Sequence, residues 1–274
     1  MVEVPAEMVE HYRSVDEDAR ITGGYRQLEY LRTQEIVRRH LPAGSLRVLD
    51  VGGATGVHAA WLAADGHEVE LFDVVPEHVA AAQRLAADRP GITASLGDAR
   101  DLPVPDGRFD AALVLGPLYH LTGRSDRLVA LREARRAVRP GGLVFGAAIT
   151  RYASLFDGLA QGFLFDPEFR RIVDADVRTG QHRNDVNNPR WFTTAYFHHP
   201  DELRQEFLDA GLDLLEVVGV EGLAGWLPQL ADRWDNTADR DIILYSARAT
   251  ESEAALLALS SHLIAVGRTP GERR

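Results

Sequence analysis

Residues 47–56 read RVLDVGGATG and carry the strongest structural signal in the chain. The apolar run before Gly52 indicates a buried strand, and Gly52, Gly53 and Gly56 then form a tight turn that leads into a helical pattern. Such a turn brings bare backbone against a ligand, because a Cβ atom would hold the ligand away and exclude positive φ. This stretch therefore predicts a strand, a glycine turn and a helix at the ligand-binding edge of an α/β sheet.

Acidic residues lie at the ends of the first three predicted strands. Asp50 precedes the first glycine by two positions, Asp73 ends the strand predicted over 68–72, and Asp98 follows the strand predicted over 92–96. Asp73 can accept hydrogen bonds from both ribose hydroxyls, and Asp98 can bond the exocyclic amine of adenine. The glycine turn alone is a weak nucleotide signal, and these three acids strengthen it.

Two further strands continue the alternation of strands and helices. The strand predicted over 109–115 opens into GPLYH at 116–120, and RPGG at 139–142 turns the chain into a strand over 143–149. Helices are predicted over three intervening segments: 56–65, 76–89 and 124–138. This alternation indicates a parallel sheet with helices on both faces.

These motifs resemble, in order, those of the class I S-adenosylmethionine-dependent methyltransferases. The residues that carry the resemblance are DVGGATG at 50–56, Asp73, GDA at 97–99, the segment from Phe109 and Asp110 to His120, and RPGG at 139–142. LEYLRT at 28–33 and GPLYHL at 116–121 further resemble a bacterial branch that methylates small natural products. Ala54 departs from the family pattern, since relatives often carry a third consecutive glycine there, and its small side chain is expected to preserve the turn.

The resemblance implies an α/β, Rossmann-like methyltransferase sheet of seven strands with the last strand antiparallel. Residues 1–45 are interpreted as an N-terminal helical lid, and residues 46–150 and 200–270 as the cofactor-binding core. Residues 151–199 show no clean alternation and are rich in aromatic residues, which indicates a substrate-binding cap inserted after the fifth strand. In the resumed core, the predicted elements are helices over 200–210 and 239–258 and strands over 212–220 and 261–267.

The resemblance also implies S-adenosylmethionine as the cofactor. Its predicted binding residues lie at the ends of the first four strands, and Arg32 joins them because a forked guanidinium could hold the cofactor's carboxylate. The set is Asp50, Gly52, Gly53, Ala54, Gly56, Asp73, Val74, Asp98, Ala99, Leu115, Gly116, Tyr119 and Arg32. Alternatively, Arg32 is a surface residue of an amphipathic helix.

Methyl transfer from a sulfonium requires an aligned nucleophile, exclusion of water and in some cases a base. His120 is the first candidate base, with a pocket wall or a structural hydrogen bond as its alternative role. Tyr12 could point at the methyl group or pack its own helix. Asp166 precedes Pro167, so it could cap a helix, accept a substrate N–H or act as the base.

The predicted substrate-binding residues are aromatic or histidine. They are Tyr12, Tyr119, His120, His182, Trp191, Phe192, Tyr196 and His198. The aromatic content of the cap favours a planar or apolar acceptor, although a row of Phe residues fits a protein core equally well. His182, His198 and His199 do not form a tight ligand set with acids, and the chain has no cysteine, so no metal is predicted.

Composition excludes several other kinds of chemistry. The 274 residues include no cysteine and no lysine, which excludes thiolate nucleophiles, cysteine-bound iron–sulfur clusters, Schiff-base chemistry and a Walker-type phosphate loop. The formal net charge of −11 disfavours a nucleic-acid partner. No apolar run reaches membrane-spanning length and no signal peptide is evident, so no membrane partner and a cytoplasmic location are expected.

Together these observations predict a monomeric or homodimeric enzyme. It is expected to transfer a methyl group to an N, O or C nucleophile of a small-molecule acceptor, an aromatic or heterocyclic secondary metabolite, by in-line displacement. Three alternatives stay open: an NAD-dependent oxidoreductase with an atypical glycine turn, a module that binds S-adenosylmethionine or a partner without catalysis, and an RNA or protein methyltransferase, for which the acidic balance disfavours RNA.

Overall fold

The computed structural model describes residues 27–186, 188, 190–227 and 230–271. Tyr12 and much of the predicted lid therefore lie outside the described residues. The strands are β1 (Arg47–Val51), β2 (Glu68–Asp73), β3 (Ile92–Leu96), β4 (Phe109–Val114), β5 (Val138–Thr150), β6 (Gln181–His182), β7 (Ala195–His198), β8 (Asp213–Gly219) and β9 (His262–Arg268). The α-helices are α1 (Gln27–His40), α2 (Val57–Ala64), α3 (Pro76–Ala87), α4 (Pro117–His120), α5 (Arg124–Ala137), α6 (Ala153–Gln161), α7 (Pro167–Thr179), α8 (Pro200–Asp209), α9 (Leu230–Trp234) and α10 (Thr237–Thr250).

A mixed sheet of nine strands organises the described residues. Its first five strands are parallel in the order β3-β2-β1-β4-β5. Strand β9 is antiparallel to both β5 and β8. Strand β7 pairs in parallel with the last two residues of β5 and is antiparallel to β6. The α/β Rossmann-like prediction with antiparallel final strands is confirmed. The predicted count of seven strands is corrected to nine, because the cap adds β6 and β7.

Helices cover both faces of the sheet, as a parallel sheet requires. On one face, Leu131 of α5 and Phe207 of α8 join the apolar cluster beneath the strands. On the other face, Ile36 of α1 and Leu62 of α2 join a second cluster. The sheet is therefore buried between two helical layers and can act as a rigid support for residues at its ends.

Three segments differ from the sequence-based expectation. RPGG at 139–142 was predicted as a turn before the strand, but it lies inside β5. It interrupts the pairing with β4, whose register shifts from Phe109↔Val138 to Ala111↔Leu143. The last helix ends at Thr250 rather than 258. The cap contains two helices and two short strands, and glycines with positive φ end both helices. Among the described residues, no helix is long and apolar enough to cross a bilayer.

Candidate active site

A large cavity opens at one edge of the sheet, where β1, β2 and β4 end and β9 begins. It encloses about 1580 Å³ of empty space, including the solvent at its mouth. The residues that line it come from the ends of neighbouring strands and from α1, so the cavity is a concave site of the kind that binds small molecules. Glu29, Tyr30 and Thr33 of α1 form one of its walls.

The glycine turn lines the cavity with backbone. Gly52 has φ +69°, and a Cβ built there would lie 2.7 Å from Pro117 Cδ. A Cβ on Gly53 would lie 2.6 Å from Asp50 Oδ2. Ala54 has φ +48°, and its N–H donates to Asp73 Oδ2 at 2.9 Å. The turn therefore survives with alanine at the third position, in a left-handed conformation that side chains rarely adopt.

Asp50 is an almost fully buried carboxyl group beside this turn. It is 1% exposed, and its Oδ2 has no hydrogen-bond partner among the described residues. Burial, followed by the nearby charge of Asp73, raises the pKa of Asp50 to about 7. Because buried polar atoms are nearly always paired, Asp50 is suited to receive a cationic group of a ligand.

Asp73 connects β2 to the glycine turn. Its Oδ1 accepts a hydrogen bond from the Val75 N–H at 2.8 Å, while its Oδ2 accepts from Ala54. The Nδ1 atom of His78 lies 3.4 Å from Oδ1. A carboxylate offers about four lone-pair sites, so Asp73 retains acceptor capacity for ribose hydroxyls.

Asp98 forms a bidentate pair with Arg100 at the end of β3. Arg100 Nε donates to Oδ1 at 2.9 Å and Nη2 to Oδ2 at 2.7 Å. Burial opposes ionisation, but the hydrogen bonds from Arg100 outweigh it and lower the pKa of Asp98. Asp98 is therefore held as a carboxylate that can accept one more donor, such as the amine of adenine.

Most of the predicted cofactor residues line this one cavity. They are Asp50, Gly52, Gly53, Ala54, Asp73, Val74, Asp98, Ala99, Leu115, Gly116 and Tyr119. Gly56 and Arg32 are not among the lining residues. Gly56 precedes α2 with φ +93°, and a Cβ there would lie 2.9 Å from Leu85 of α3. The absence of a side chain at Gly56 therefore allows the start of α2 to pack closely against α3.

Comparison with known proteins agrees with this geometry. Residues 48–142 match a family model described as a methyltransferase domain. A ubiquinone/menaquinone biosynthesis C-methyltransferase, UbiE, from Neisseria meningitidis is 28% identical over 185 residues, which cover 65% of this chain and 70% of that protein. The comparisons support a class I S-adenosylmethionine-dependent methyltransferase. Its cofactor is S-adenosylmethionine.

Two solved structures share the fold of this chain. One is the N-methyltransferase NodS from Bradyrhizobium japonicum in complex with S-adenosylhomocysteine, with a TM-score of 0.56 at 16% identity. The match covers 98% of this chain and 100% of NodS. A methyltransferase from Methanosarcina mazei has a TM-score of 0.59 at 14% identity, covering 86% of this chain and 98% of its own. At these identities the likeness concerns the fold alone.

Arg32 has neither of its two predicted positions. It is 1% exposed, it pairs with Glu35 and Glu251, and its Nε donates to the Val220 carbonyl at 3.2 Å. It therefore neither lines the cavity nor lies on the surface. Its position is corrected to a buried connection between α1 and the end of α10.

Replacing Arg32 with methionine is expected to lower the melting temperature clearly, because the Val220 carbonyl and one oxygen of Glu251 lose their buried donor, although Arg39 still pairs with the other oxygen of Glu251. The dissociation constant of S-adenosylhomocysteine is expected to stay within about threefold of the wild-type value, since Arg32 does not line the cavity. Differential scanning fluorimetry and calorimetric titration measure the two quantities. If the variant stays folded but no longer binds S-adenosylhomocysteine, Arg32 contributes to the cofactor site after all.

The predicted catalytic residues have different positions. His120 lines the cavity with Tyr119, and the ring of Phe192 lies 5.9 Å from that of His120. Asp166 does not line it, because its Oδ1 accepts from the Glu168 N–H at 2.8 Å and caps α7. The helix-capping alternative therefore describes Asp166, and its catalytic role is withdrawn.

Four of the predicted substrate residues lie behind the cavity wall, in the packing of the cap. Trp191 stacks against Phe169 in a small apolar cluster. The guanidinium of Arg127 lies 3.8 Å from the ring centre of Tyr196. These contacts, rather than the cavity, account for the aromatic content that suggested a substrate wall.

The histidines predicted for substrate binding are also committed to buried pairs. His182 Nδ1 lies 2.9 Å from Asp176 Oδ2, and His198 Nε2 lies 3.4 Å from Glu206 Oε2. Burial lowers the pKa of His198 despite the opposing effect of Glu206. The positions of His182, Trp191, Tyr196 and His198 are corrected accordingly, and Phe192 remains as a neighbour of Tyr119 and His120.

Several cavity residues were not predicted from the sequence. They include Glu29, Tyr30, His58, His78, Arg100 and His262. One available signal concerned His262. It begins the predicted last strand, and the start of an antiparallel strand lies at the same edge as the ends of the parallel strands.

Proposed function

We propose that this chain transfers the methyl group of S-adenosylmethionine to an oxygen, nitrogen or carbon nucleophile of a small aromatic or heterocyclic metabolite. One observation carries the proposal. A single cavity is lined by the three strand-end carboxylates and the glycine turn, and also by Tyr119 and His120. The residues proposed to bind the nucleoside and those proposed to contact the acceptor thus line one connected cavity.

Within this cavity, Asp73 would bind the ribose hydroxyls and Asp98 the adenine amine. Asp50 would receive the ammonium group at the methionine end, because its buried Oδ2 has acceptor capacity to spare. The backbone of Gly52 and Gly53 would lie against the cofactor. The sulfonium methyl is already electrophilic, so alignment of the nucleophile and exclusion of water supply much of the catalysis.

The acceptor is proposed to be small because α1 walls one side of the cavity. Its aromatic surroundings, Tyr30, Tyr119 and the nearby ring of Phe192, favour a planar molecule. Relatives named as a C-methyltransferase and an N-methyltransferase are compatible with either kind of nucleophile. We also propose that the chain is divided into a lid (1–45), a core (46–150 and 200–270) and a cap (151–199). In this proposal the cap closes the space that the acceptor occupies.

Two measurements test the proposed function. S-adenosylhomocysteine is expected to raise the melting temperature in proportion to the logarithm of its concentration over Kd, while NAD is expected to leave it unchanged. Radiolabelled S-adenosylmethionine, incubated with a panel of phenols, anilines and indoles, is expected to label at least one compound. Stabilisation by NAD alone would favour an oxidoreductase, and tight cofactor binding with no labelled acceptor would favour a non-catalytic module.

A further inference from the structure

The cavity contains several imidazole groups that differ in their surroundings. In the described part of the chain, the histidines that line it are His58, His78, His120 and His262. Burial lowers the pKa of His58 to about 4, and its Nδ1 accepts from Trp61 Nε1 at 3.2 Å, so it is a weak proton acceptor. His78 lies beside Asp73, at the proposed ribose site.

His262 is paired with a buried carboxylate inside the cavity wall. Its Nδ1 lies 2.5 Å from Glu221 Oε1. The other oxygen, Oε2, accepts from Ser260 Oγ at 2.9 Å and from the His262 N–H at 3.0 Å. Glu221 is 5% exposed, and three hydrogen bonds fix its carboxylate, one of which orients the imidazole of His262.

The carboxylate determines which nitrogen of His262 can act as a base. Ser260 Oγ and the His262 N–H both donate to Glu221 Oε2, which favours the carboxylate form of Glu221. An ionised Glu221 can only accept, so it holds the proton on Nδ1 and leaves the lone pair on Nε2. A carboxylate that orients a histidine in this way also stabilises the imidazolium formed after proton transfer.

The topology of the sheet places His262 beyond the methionine end of the cofactor site. The nucleoside carboxylates follow β2 and β3, Asp50 and the glycine turn belong to β1, and the segment of His120 follows β4. Next along the same edge come β5 and β9, with His262 opposite Ile149. Two strands, β4 and β5, separate β9 from β1 along this edge, and neighbouring strands lie about 4.8 Å apart. His262 therefore lines the cavity on the side away from Asp73 and Asp98, which is the side where we place the acceptor.

We propose that Glu221 and His262 form a carboxylate–imidazole dyad in which His262 Nε2 removes the proton from the methyl acceptor. The inference rests on the proposed function. The acceptor's O–H or N–H bond breaks as Nε2 takes the proton, and the electron pair left on the acceptor attacks the methyl carbon. The carbon–sulfur bond breaks with its electron pair moving to sulfur, which leaves S-adenosylhomocysteine, and the imidazolium then returns its proton to water.

The same groups also resemble a cation site, which the test must separate from a dyad. Glu29 Oε1 lies 3.8 Å from His262 Nδ1, and one ligand atom from each of Glu29, Glu221 and His262 lies within 4.8 Å of the others. A metal would have to displace the Glu221 contact at Nδ1. Because that contact and both contacts at Oε2 are already made, the geometry favours the dyad.

The first test is spectroscopic and needs no acceptor. In ¹⁵N-histidine-labelled protein saturated with S-adenosylhomocysteine at pH 8.5, His262 is expected to carry its proton on Nδ1, with Nε2 unprotonated. The signal is assigned by its absence in His262→Gln, and Glu221→Ala is expected to give a mixture of both tautomers. A proton on Nε2 in the wild type would overturn the proposal, as would displacement of the signal by stoichiometric Mn²⁺ or Zn²⁺.

The second test is kinetic and uses each panel compound that the wild-type enzyme labels. His262→Gln is expected to lower kcat by about 10²- to 10⁴-fold, the usual contribution of a general base, with KM and S-adenosylhomocysteine affinity within about threefold. Glu221→Gln, which tests a positioning residue, is expected to lower kcat by at least about tenfold. Among phenols, 4-methoxyphenol is expected to be affected more than 4-nitrophenol, which ionises without help, and a purely structural defect would affect both equally.

The chain offers a matched control outside the cavity. His40 Nε2 lies 2.8 Å from Glu216 Oε1, so His40→Gln removes a chemically similar pair and is expected to leave kcat near wild type. Unchanged kcat in His262→Gln, with a large loss in His120→Asn, would overturn the proposal in favour of His120. If the wild type labels no compound, the proposed function fails, and the spectroscopic result alone decides the dyad.

Discussion

At pH 8, the Asp50→Asn protein is expected to bind S-adenosylhomocysteine roughly 10- to 100-fold more weakly than wild type, because a hydrogen bond to a charged group contributes about 1.5–3 kcal/mol. The wild-type affinity is expected to depend on pH. The pKa of Asp50 in the empty cavity is raised to about 7, so its ionised fraction falls about tenfold between pH 8 and pH 6, and the affinity falls with it. The asparagine variant is expected to show no such dependence.

Calorimetric titration from pH 6 to pH 8.5 measures both effects. Asp110→Asn is the matched control, because Asp110 lies at the start of β4, on the opposite edge of the sheet, and pairs with Arg139 at 2.7 Å. Its affinity is expected to follow the wild-type pH curve. A wild-type affinity that is constant with pH would mean that Asp50 does not contact the cationic end of the cofactor.

The Asp50→Asn substitution is also expected to stabilise the cofactor-free protein at pH 8. The pKa of Asp50 is raised from the ordinary value of 3.8 to about 7, so between these values the folded state binds more protons than the unfolded state. Stability is therefore lost as pH rises through this window. Asparagine has no charge to desolvate, and the melting temperature of Asp50→Asn is expected to exceed that of wild type at pH 8 but not at pH 4.

The second large effect is expected from Gly52→Ala. A Cβ at Gly52 would lie 2.7 Å from Pro117 Cδ and 2.8 Å from Cγ, so either the glycine turn or the start of α4 has to move. Because the glycine turn and the start of α4 both line the cavity, S-adenosylhomocysteine binding is expected to weaken by at least about tenfold, which corresponds to about 1.4 kcal/mol.

Gly44→Ala separates this contact from backbone strain. Gly44 has φ +104°, and a Cβ there would meet nothing within 4 Å. Both variants carry the penalty of a left-handed conformation, about 1–2 kcal/mol, so both are expected to melt at lower temperatures. Only Gly52→Ala is expected to lose binding, as measured by titration, and equal losses in the two variants would attribute the effect to stability alone.

The sequence predicted those parts of the site that are formed by short local segments. Asp50, Gly52 and Gly53 belong to one strand and turn, and Asp73 and Asp98 each follow a strand with a clear apolar pattern. The rules of parallel sheets then bring these ends to one edge. This local pattern was enough to predict that these carboxylates and glycines would line one cavity.

The remaining positions depend on contacts between distant parts of the chain. Arg32 is buried because Glu251, 219 residues away, pairs with it, and no local pattern indicates such a partner. His182 and His198 looked like pocket residues, but Asp176 and Glu206 hold them inside the cap. Glu221 and His262 follow and begin separate strands, and only the antiparallel pairing of β8 with β9 brings them together.

A crystal structure of the protein grown with S-adenosylhomocysteine is the decisive experiment. The ribose is expected to lie against Asp73, the adenine amine against Asp98, and the amino group of the homocysteine end against Asp50, with open space between the sulfur and His262. An empty cavity at saturating ligand, or the nucleoside bound at another surface, would contradict this arrangement.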